Sequence, residues 1–430
     1  MKYFSTRDKS RALTALADAA FMGLAADGGL FLPERVPQVD MKRVEELAAK
    51  SYADMTLYLV QLLFDELPAE ALEQVVRDAY DFPIRMHSLD DKLHTLELFH
   101  GPTHAFKDFG ARFMGRMTGL LNDGGDLIIL TATSGDTGSA VAHGFYGVEG
   151  VRVVILYPDG KVSPLQEAQM TTLGGNIYPL KVRGRFDDCQ RMVKSMFRDA
   201  ALRSQVRITS ANSINLLRWL PQAFYYFYGY CQWKQITGRD NPTVVVPSGN
   251  YGNLTAGMFA RRMGLPIAGF VAASNANDVV PEFLLTEQYR ARASVQTVAN
   301  AMDVGDPSNF ARILALYENN HEAICSEISG ATYSDEQIRE TVKKAYEETG
   351  YLLDPHGACG YQALEEGLRE DEVGVFLETA HPAKFLDTVE GIIGEKVEIP
   401  AKLQAFMKGT KQSIPMAKDF ASFKEFLLKE

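Results

Sequence analysis

The sequence predicts an α/β fold in which parallel strands are covered by helices on both faces. The first observation is a set of short, continuously apolar runs at Asp126–Thr133, Val151–Leu156, near Ile177–Val182, and at Val206–Thr209, Thr243–Val246 and Ile267–Ala272. The second is that helix-compatible stretches follow these runs, as in sheets buried on both faces. The third is that two small-residue loops, 134–138 and 247–252, directly follow such runs. Ligands bind beyond the carboxyl ends of parallel strands, so chemistry is expected in these loops.

Three consecutive domains are predicted from the change of pattern along the chain. Residues 1–95 lack the strand–helix rhythm and are predicted to form a mostly helical N-terminal domain. Residues 96–240 and 241–430 are each predicted to form an α/β domain around a parallel sheet. The chain is long enough for this division, because single cores rarely grow beyond about 250–300 residues.

Individual helices are less sharply marked than the strands. Apolar residues at helical spacing predict helices over Ala12–Ala26, Val44–Leu63 and about Asp187–Asp199. Leu377–Phe385 has the character of a strand that enters a loop. From about residue 395 the sequence predicts a polar, lysine-rich helical tail with no assigned role.

The composition is that of an ordinary globular protein, with 46% hydrophobic and 23% charged residues among 430. The formal net charge of -11 argues against nucleic-acid or anionic-membrane partners, because phosphate backbones need a basic surface. The four cysteines never form a CxxC pair, which fits a reducing cytoplasm better than a disulfide framework. No run of about 18 apolar residues occurs, so no membrane span is predicted. We expect a cytoplasmic protein.

Lys107 is the first candidate for chemistry, within the stretch HGPTHAFKDFG. Gly-Pro-Thr is typical of a helix start, with Thr103 able to act as the N-cap. Apolar residues then recur at helical spacing: Phe106, Phe109, Phe113 and Met117. An amine against aromatic rings near the positive end of a helix dipole has a lowered pKa, which favours a neutral nucleophile. A solvated surface lysine is the alternative interpretation.

Two loops are candidates for anion binding. Residues 246–255, VPSGNYGNLT, follow a β-branched run and open a predicted helix, so successive N–H groups can converge on a phosphate. Residues 131–140, TATSGDTGSA, form a second hydroxyl- and glycine-rich connection that could bind another anion. Simple turns and helix caps are the alternative interpretations. A phosphorylated cofactor together with a phosphorylated substrate would explain both loops.

Other chemistries lack their motifs. There is no Walker A sequence and no GxGxxG that opens a helix, which disfavours nucleotide hydrolysis and dinucleotide-dependent redox chemistry. There is no Gly-x-Ser-x-Gly for a hydrolase nucleophile. His100 and His104 are four residues apart, but Pro102 lies between them and no third ligand is evident, so no metal site is predicted.

Taken together and in order, the motifs resemble the threonine synthase family of fold type II pyridoxal 5'-phosphate (PLP) enzymes. The likeness rests on HGPTHAFKDFG, TSGDTGSA and PSGNYGNLTAG, with further similar stretches STRD near the start, ADGGLFLPE at 26–34, NSINLLRWLPQ at 212–222, LDPHGACGY at 353–361 and TAHPAKF at 379–385. It covers nearly the whole chain and points to the bacterial and fungal branch with a long helical N-terminal extension. The resemblance implies a tryptophan synthase β-like fold.

The resemblance also implies roles for individual residues. Lys107 would carry PLP as a Schiff base, and Thr379 would hydrogen-bond the pyridine nitrogen. The cofactor phosphate would be bound by Gly249, Asn250, Tyr251, Gly252 and Asn253. The substrate phosphate and carboxylate would be bound by Thr133, Ser134, Asp136, Thr137, Asn215 and Arg218. Related PLP enzymes often have Asn where Asp136 stands, which leaves open the residue that meets the cofactor's phenolic oxygen.

The implied reaction converts O-phospho-L-homoserine and water to L-threonine and phosphate, in a monomer or a homodimer. Three alternatives stay open at the level of sequence. A threonine synthase-like phospholyase would release 2-oxobutanoate and ammonia. Another fold type II enzyme, such as a dehydratase or cysteine synthase, would act on serine, threonine or O-acetylserine. An inactive ligand-binding homologue would keep the same residues without turnover.

Overall fold

A computed structural model describes residues 1–429. Its strands are β1 Tyr3–Ser5, β2 Phe31–Pro33, β3 Arg85–Ser88, β4 Leu93–Glu97, β5 Leu127–Ala132, β6 Val151–Pro158, β7 Ile177–Val182, β8 Arg207–Ser210, β9 Thr243–Pro247, β10 Gly269–Ser274, β11 Ile328–Thr332, β12 Gly374–Glu378 and β13 Ile414–Met416. All six apolar runs of the sequence analysis form strands within two residues of their expected limits.

Helices fill most of the remaining chain. They are α1 Leu16–Met22, α2 Met41–Ala48, α3 Tyr52–Leu63, α4 Ala69–Ala79, α5 Lys107–Leu121, α6 Asp136–Phe145, α7 Pro164–Thr171, α8 Phe186–Arg198, α9 Ala200–Arg203, α10 Leu216–Trp219, α11 Ala223–Thr237, α12 Gly252–Arg262, α13 Val279–Thr286, α14 Phe310–Leu316, α15 His321–Cys325, α16 Asp335–Thr349, α17 Pro355–Gly367, α18 Leu386–Ile393, α19 Ala401–Met407 and α20 Phe420–Lys429. Short 3-10 turns occur at Leu220–Gln222, Asn300–Met302 and Pro382–Phe385. Within residues 1–429, none of the helices has the length and apolar character needed to cross a bilayer.

Two units are distinguished by the contacts they make internally. The five-stranded unit comprises Lys2–Phe31, Lys107–Arg218 and the described residues from Ile399 onward, whereas the six-stranded unit comprises Met1, Leu32–Phe106 and Trp219–Glu398. The units interleave along the chain, whereas the sequence analysis expected consecutive segments. The division into units depends on strands that pair although they are far apart in the sequence. Such pairing cannot be read from the local sequence pattern.

The five-stranded unit is built on a wholly parallel sheet in the order β13-β7-β6-β5-β8. Every residue of β5 is buried, which explains why its sequence is continuously apolar rather than alternating. Helices α5 and α6 meet at two glycines, because a Cβ on Gly115 would lie 2.0 Å from the Gly144 carbonyl oxygen. Lys107 and Asp136, the first residues of these two helices, belong to the same unit.

The six-stranded unit has the order β11-β10-β9-β12-β4-β3. Its strands are parallel except β3, which pairs antiparallel with β4 at one edge. Helix α17 packs over the central strands, and its buried residues join an apolar cluster that includes Val342 and Phe376. The strand β9 ends at Pro247, so the loop that follows it leaves the sheet at its carboxyl edge.

Three expectations about helices need correction. The single helix predicted over Val44–Leu63 is interrupted, because the Ser51 side chain accepts a hydrogen bond from the Asp54 N–H and caps a new helix, α3. The helix predicted over Ala12–Ala26 is limited to α1. The tail predicted to be helical also contains β13, whose residue Ile414 pairs with Leu180 of β7.

Candidate functional site

Lys107 is the first residue of helix α5 and is partly buried. The expectation that Thr103 caps this helix is wrong. His104 adopts φ 54°, in the left-handed region, so the helix begins only after residues 103–106 have turned. The Thr103 carbonyl instead accepts a hydrogen bond of 2.8 Å from the Lys384 ammonium.

The apolar stripe predicted after Lys107 is confirmed in α5. Phe109, Phe113 and Met117 are fully buried. A Cβ on Gly110 would lie 2.4 Å from the Arg218 carbonyl oxygen, so the helix approaches the backbone of the turn that carries Arg218. The first turn of α5 and Arg218 therefore belong to one closely packed region of the five-stranded unit.

The loop after β5 is held by the hydroxyl of Thr133. That oxygen accepts hydrogen bonds from the N–H groups of Gly135, at 2.9 Å, and Gly138, at 2.8 Å. Gly135 adopts φ 145°, which L-residues with a side chain rarely adopt. Within residues 1–429 the N–H groups of Ser134 and Thr137 make no hydrogen bond. The loop therefore presents backbone donors for an anion, while the Thr133 hydroxyl supports the loop itself.

Gln166 is a residue of this loop region that the sequence analysis missed. Its amide Nε2 donates a 3.0 Å hydrogen bond to Asp136, and its side chain is buried. Its Oε1 accepts from the Ser163 N–H at 3.2 Å in a capping box at the start of α7. The S-x-x-Q spacing could have revealed the cap, but not the bond to Asp136. Gln166 thus orients the carboxylate at the start of α6.

Asn215 is an internal anchor. Its side chain is fully buried, and its Nδ2 donates to the carbonyls of Ala20, at 2.8 Å, and Ser210, at 3.1 Å. Its Oδ1 accepts from the Leu217 N–H at 3.0 Å. Because these bonds occupy both ends of the amide, the predicted contact between Asn215 and the substrate has no support in this geometry. The residue instead fixes the turn that presents Arg218.

Arg218 is a buried cation in the same unit. Its side chain is 5% exposed, and burial lowers the pKa of its guanidinium to about 10, although the nearby Asp108 carboxylate opposes the change. The group therefore remains charged at neutral pH. A buried guanidinium suits the binding of a carboxylate or phosphate through paired hydrogen bonds.

The loop after β9 in the six-stranded unit presents a row of backbone donors. Helix α12 begins at Gly252, directly after Tyr251, which adopts φ 62°. Within residues 1–429 the N–H groups of Gly249, Tyr251, Gly252 and Asn253 make no hydrogen bond. Unoccupied N–H groups at the positive end of an 11-residue helix form an anion site. The loop therefore fits the phosphate of PLP.

The side chains of this loop hold it in place. Asn253 Oδ1 accepts from the Ser248 hydroxyl at 2.8 Å, and its Nδ2 donates to the Pro247 carbonyl at 2.8 Å. The Tyr251 hydroxyl bonds Ser274 at 2.7 Å, and the Asn250 side chain accepts from the Ser308 N–H at 2.7 Å. It is consequently the backbone of the loop, rather than these side chains, that is available to an anion.

Thr379 directly follows strand β12 and is 6% exposed. Its carbonyl accepts a 2.8 Å hydrogen bond from the Phe106 N–H. Within residues 1–429 its hydroxyl makes no hydrogen bond. A buried hydroxyl of this kind can donate to a ring nitrogen, as the sequence analysis expected for the pyridine of PLP.

The two histidines that raised the question of a metal have other surroundings. His100 Nε2 lies 2.6 Å from a carboxylate oxygen of Glu97. The ring of His104 makes an edge contact with His381, with 5.5 Å between the centroids. His104 therefore packs against a residue that lies close to Thr379 in the chain.

Comparison with known families gives three matches along the chain. The family model described as "Pyridoxal-phosphate dependent enzyme" matches residues 87–379. The model described as "Threonine synthase N terminus" matches residues 2–80, and the model described as "Threonine synthase, C-terminal" matches residues 357–427. These three matches cover both units.

Individual proteins match over their full length. Threonine synthase from Haemophilus influenzae is 44% identical, with 96% of each chain covered. The solved structure of threonine synthase from Escherichia coli has 42% identity and a TM-score of 0.92, covering 100% of this chain and 99% of that chain. The PLP-bound threonine synthase from Brucella melitensis has 34% identity and the same TM-score of 0.92, covering 100% and 99%. An L-serine ammonia-lyase from Rhizomucor miehei shares the fold alone, at 12% identity and TM-score 0.55 over 72% of this chain and 98% of that chain.

Proposed function

Since this chain belongs to the threonine synthase family of PLP-dependent enzymes, we propose how its residues convert O-phospho-L-homoserine and water to L-threonine and phosphate. The observation that carries the proposal is the row of unoccupied N–H groups at Gly249 and Tyr251–Asn253. Unoccupied N–H groups at a helix start can bind a dianionic phosphate without any basic side chain. This also explains how an acidic protein can bind PLP.

The six-stranded unit supplies contacts for both ends of the cofactor ring system. We infer that the backbone of residues 249–253, including Asn250, binds the phosphate and that the Thr379 hydroxyl hydrogen-bonds the pyridine nitrogen. A neutral hydroxyl cannot keep that nitrogen protonated as an aspartate could, so negative charge is spread differently over the ring. When bound, PLP supplies an electron sink for charge that develops on the substrate carbons.

The side chain of Lys107 is the proposed reactive amine. Lys107 would hold PLP covalently, and its amine would move protons at Cα, Cβ and Cγ of the substrate. Phosphate leaves from Cγ, Cγ gains a proton and becomes the methyl group, and water adds at Cβ to form threonine.

Substrate recognition is proposed to use both backbone donors and one cation. The N–H groups of Ser134 and Thr137 are available to the substrate phosphate, and Asp136 is oriented by Gln166. Arg218 supplies a buried positive charge for a phosphate or carboxylate. Fixing both anionic ends aligns the scissile bonds and discriminates against amino acids that lack a phosphate. Thr133 and Asn215 act by holding the two loops.

The absorbance spectrum of the purified protein tests the proposal. The wild type is expected to show the band of lysine-linked PLP near roughly 410–430 nm, which borohydride removes. Lys107→Ala should lose this band, whereas Lys161→Ala, which removes an exposed lysine of the same unit, should keep it. A wild type that takes up no PLP, or a band that survives in Lys107→Ala, would contradict the assignment.

Product analysis tests the reaction. We expect threonine and phosphate in equal amounts from O-phospho-L-homoserine. Release of 2-oxobutanoate and ammonia in place of threonine would instead identify a phospholyase. The cytoplasmic location and the monomeric or homodimeric state remain predictions from the sequence, to be checked by fractionation and by light scattering.

A further inference from the structure

The motif LDPHGACGY resembles the family but has no role in the function proposed above. It opens helix α17, where Asp354 is the N-cap and is fully buried. Its Oδ1 accepts a hydrogen bond of 2.8 Å from the His356 N–H. This cap satisfies one N–H group at the helix start. Two further buried side chains are hydrogen-bonded to Asp354.

His356 is the first of these groups. Its ring is 2% exposed, and its Nε2 accepts a 3.1 Å hydrogen bond from the Ala301 N–H. Because Nε2 acts as an acceptor, the proton is on Nδ1, which contacts Asp354 Oδ1. The imidazole is therefore a neutral link between Asp354 and the backbone of Ala301.

Glu378 is the second group. It is fully buried at the end of β12, and its Oε1 accepts a 2.8 Å hydrogen bond from the Asp354 N–H. Its Oε2 makes no hydrogen bond within residues 1–429 and occupies the position of a side chain on Gly357, where a Cβ would lie 1.6 Å away. Burial, followed by the neighbouring Asp354 carboxylate, raises the pKa of Glu378 well above its ordinary value.

The hydrogen bonds of these three side chains lead from the phosphate loop to Thr379. These are the two proposed cofactor contacts of the six-stranded unit. Ala301 and Met302 lie against the phosphate loop, since a Cβ on Gly249 would be 2.6 Å from Met302 Cα and 3.1 Å from the Ala301 oxygen. At the other end, Glu378 directly precedes Thr379. Hydrogen bonds and backbone contact therefore connect the loop at 249 with Thr379 through three buried polar side chains.

We propose that Asp354, His356 and Glu378 are positioning residues that hold the phosphate loop and Thr379 at the separation required by PLP, with Glu378 as a neutral acid. The inference rests on the proposed function, because it assumes that these two features bind one cofactor. A neutral acid explains how a second carboxyl group can lie beside the buried carboxyl group of Asp354. The position of Glu378 Oε2 explains why residue 357 has no side chain.

Substitution of Glu378 tests the proposal through the PLP dissociation constant, measured by titrating PLP-free protein and following the band of lysine-linked PLP. Glu378→Gln keeps a neutral group with an acceptor oxygen, so its affinity should stay within about twofold of the wild type. Glu378→Leu removes the acceptor for the Asp354 N–H, and its affinity should fall about tenfold or more. His356→Leu leaves Glu378 intact, removes the link to Ala301, and should weaken PLP binding to a similar extent.

A matched control separates positioning from general destabilisation. Val342→Ala removes buried volume from α16 in the same unit but touches none of the three polar side chains, so its PLP affinity should be unchanged. Equal weakening in Val342→Ala, or full affinity in both leucine variants, would overturn the positioning role. Glu378→Gln as weak as Glu378→Leu would overturn the neutral acid. If the wild type itself takes up no PLP, the proposed function fails rather than this network.

Discussion

The imidazole of His381 should make the protein lose stability as the pH falls below neutrality. Its Nδ1 accepts a 3.1 Å hydrogen bond from the Ala383 N–H, which caps the 3-10 turn at Pro382–Phe385. Its ring packs edge-on against Phe99, with 5.4 Å between centroids. Protonation would place a second donor opposite the Ala383 N–H and would charge a ring in apolar surroundings. The neutral ring is therefore required by the folded structure.

The size of the effect follows from the pKa. Burial, with a smaller contribution from His100, lowers the pKa of His381 from 6.5 to about 4, whereas Glu97 and Asp354 act in the opposite direction and Lys384 adds to the lowering. Between these pH values the unfolded chain binds the extra proton, so this contribution to stability is complete above 6.5 and is lost as the pH falls towards 4. From about pH 7.5 to about pH 5.5 the loss should be about 1 kcal/mol, and at most about 3 kcal/mol at lower pH.

Urea unfolding of wild type and His381→Asn, both saturated with PLP, measures this loss. Asparagine keeps an acceptor oxygen for the Ala383 N–H but does not titrate, so it is a control for the cap. The free energy of unfolding of the wild type should fall by about 1 kcal/mol more than that of the variant over the same pH range. Parallel curves for the two proteins would refute the conclusion that the buried ring must stay neutral.

Three further predictions concern the proposed site. Gly249→Ala should weaken PLP binding about tenfold or more, because its Cβ would lie 2.6 Å from Met302 Cα; unchanged affinity in a PLP titration would contradict the close approach. Arg218→Ala should raise the KM for O-phospho-L-homoserine about tenfold to 100-fold with the PLP dissociation constant kept, since a charged partner is lost; loss of PLP instead would mean that its role is misassigned. Gln166→Leu should raise the same KM about tenfold by releasing Asp136. Its control, Ser163→Ala, removes only the cap hydroxyl and should cost about 1 kcal/mol in thermal unfolding with KM kept, so equal KM values in the two variants would argue against an orienting role for Gln166.

The strands that could be predicted are those whose residues are mostly buried. β7 matches its expected limits, Ile177–Val182, because an apolar run is bounded by Gly174 and Gly175. The edge strand β11 was not predicted, since three of its five residues are exposed and its sequence, ISGAT, lacks an apolar run. The pattern of apolar residues in a sequence indicates which side chains are buried. An edge strand held by backbone hydrogen bonds shows little of this pattern.

The sequence could identify candidate site residues by their residue type. It could not predict which group each side chain bonds. Hydroxyl and amide groups in a glycine-rich loop can bind a ligand or their own backbone equally well. In the structure, the side chains of Thr133 and Asn215 form hydrogen bonds with backbone groups of the protein. The N–H groups that remain unoccupied belong to the main chain, whose direction depends on φ and ψ and not on residue type. Gln166 was missed because its partner is 30 residues away in the sequence.

The placement of β13 has a consequence for how the protein is made. Residues 414–416 form one edge of the five-stranded sheet, and Met416, Phe423 and Leu427 join its apolar core beside Leu180. A ribosome therefore synthesises the other four strands of this sheet long before their last neighbour emerges. During that interval the β7 edge presents open backbone hydrogen-bonding groups to other nascent chains. Truncation before residue 414 should leave the β7 edge permanently unpaired. We expect such a truncated protein to aggregate.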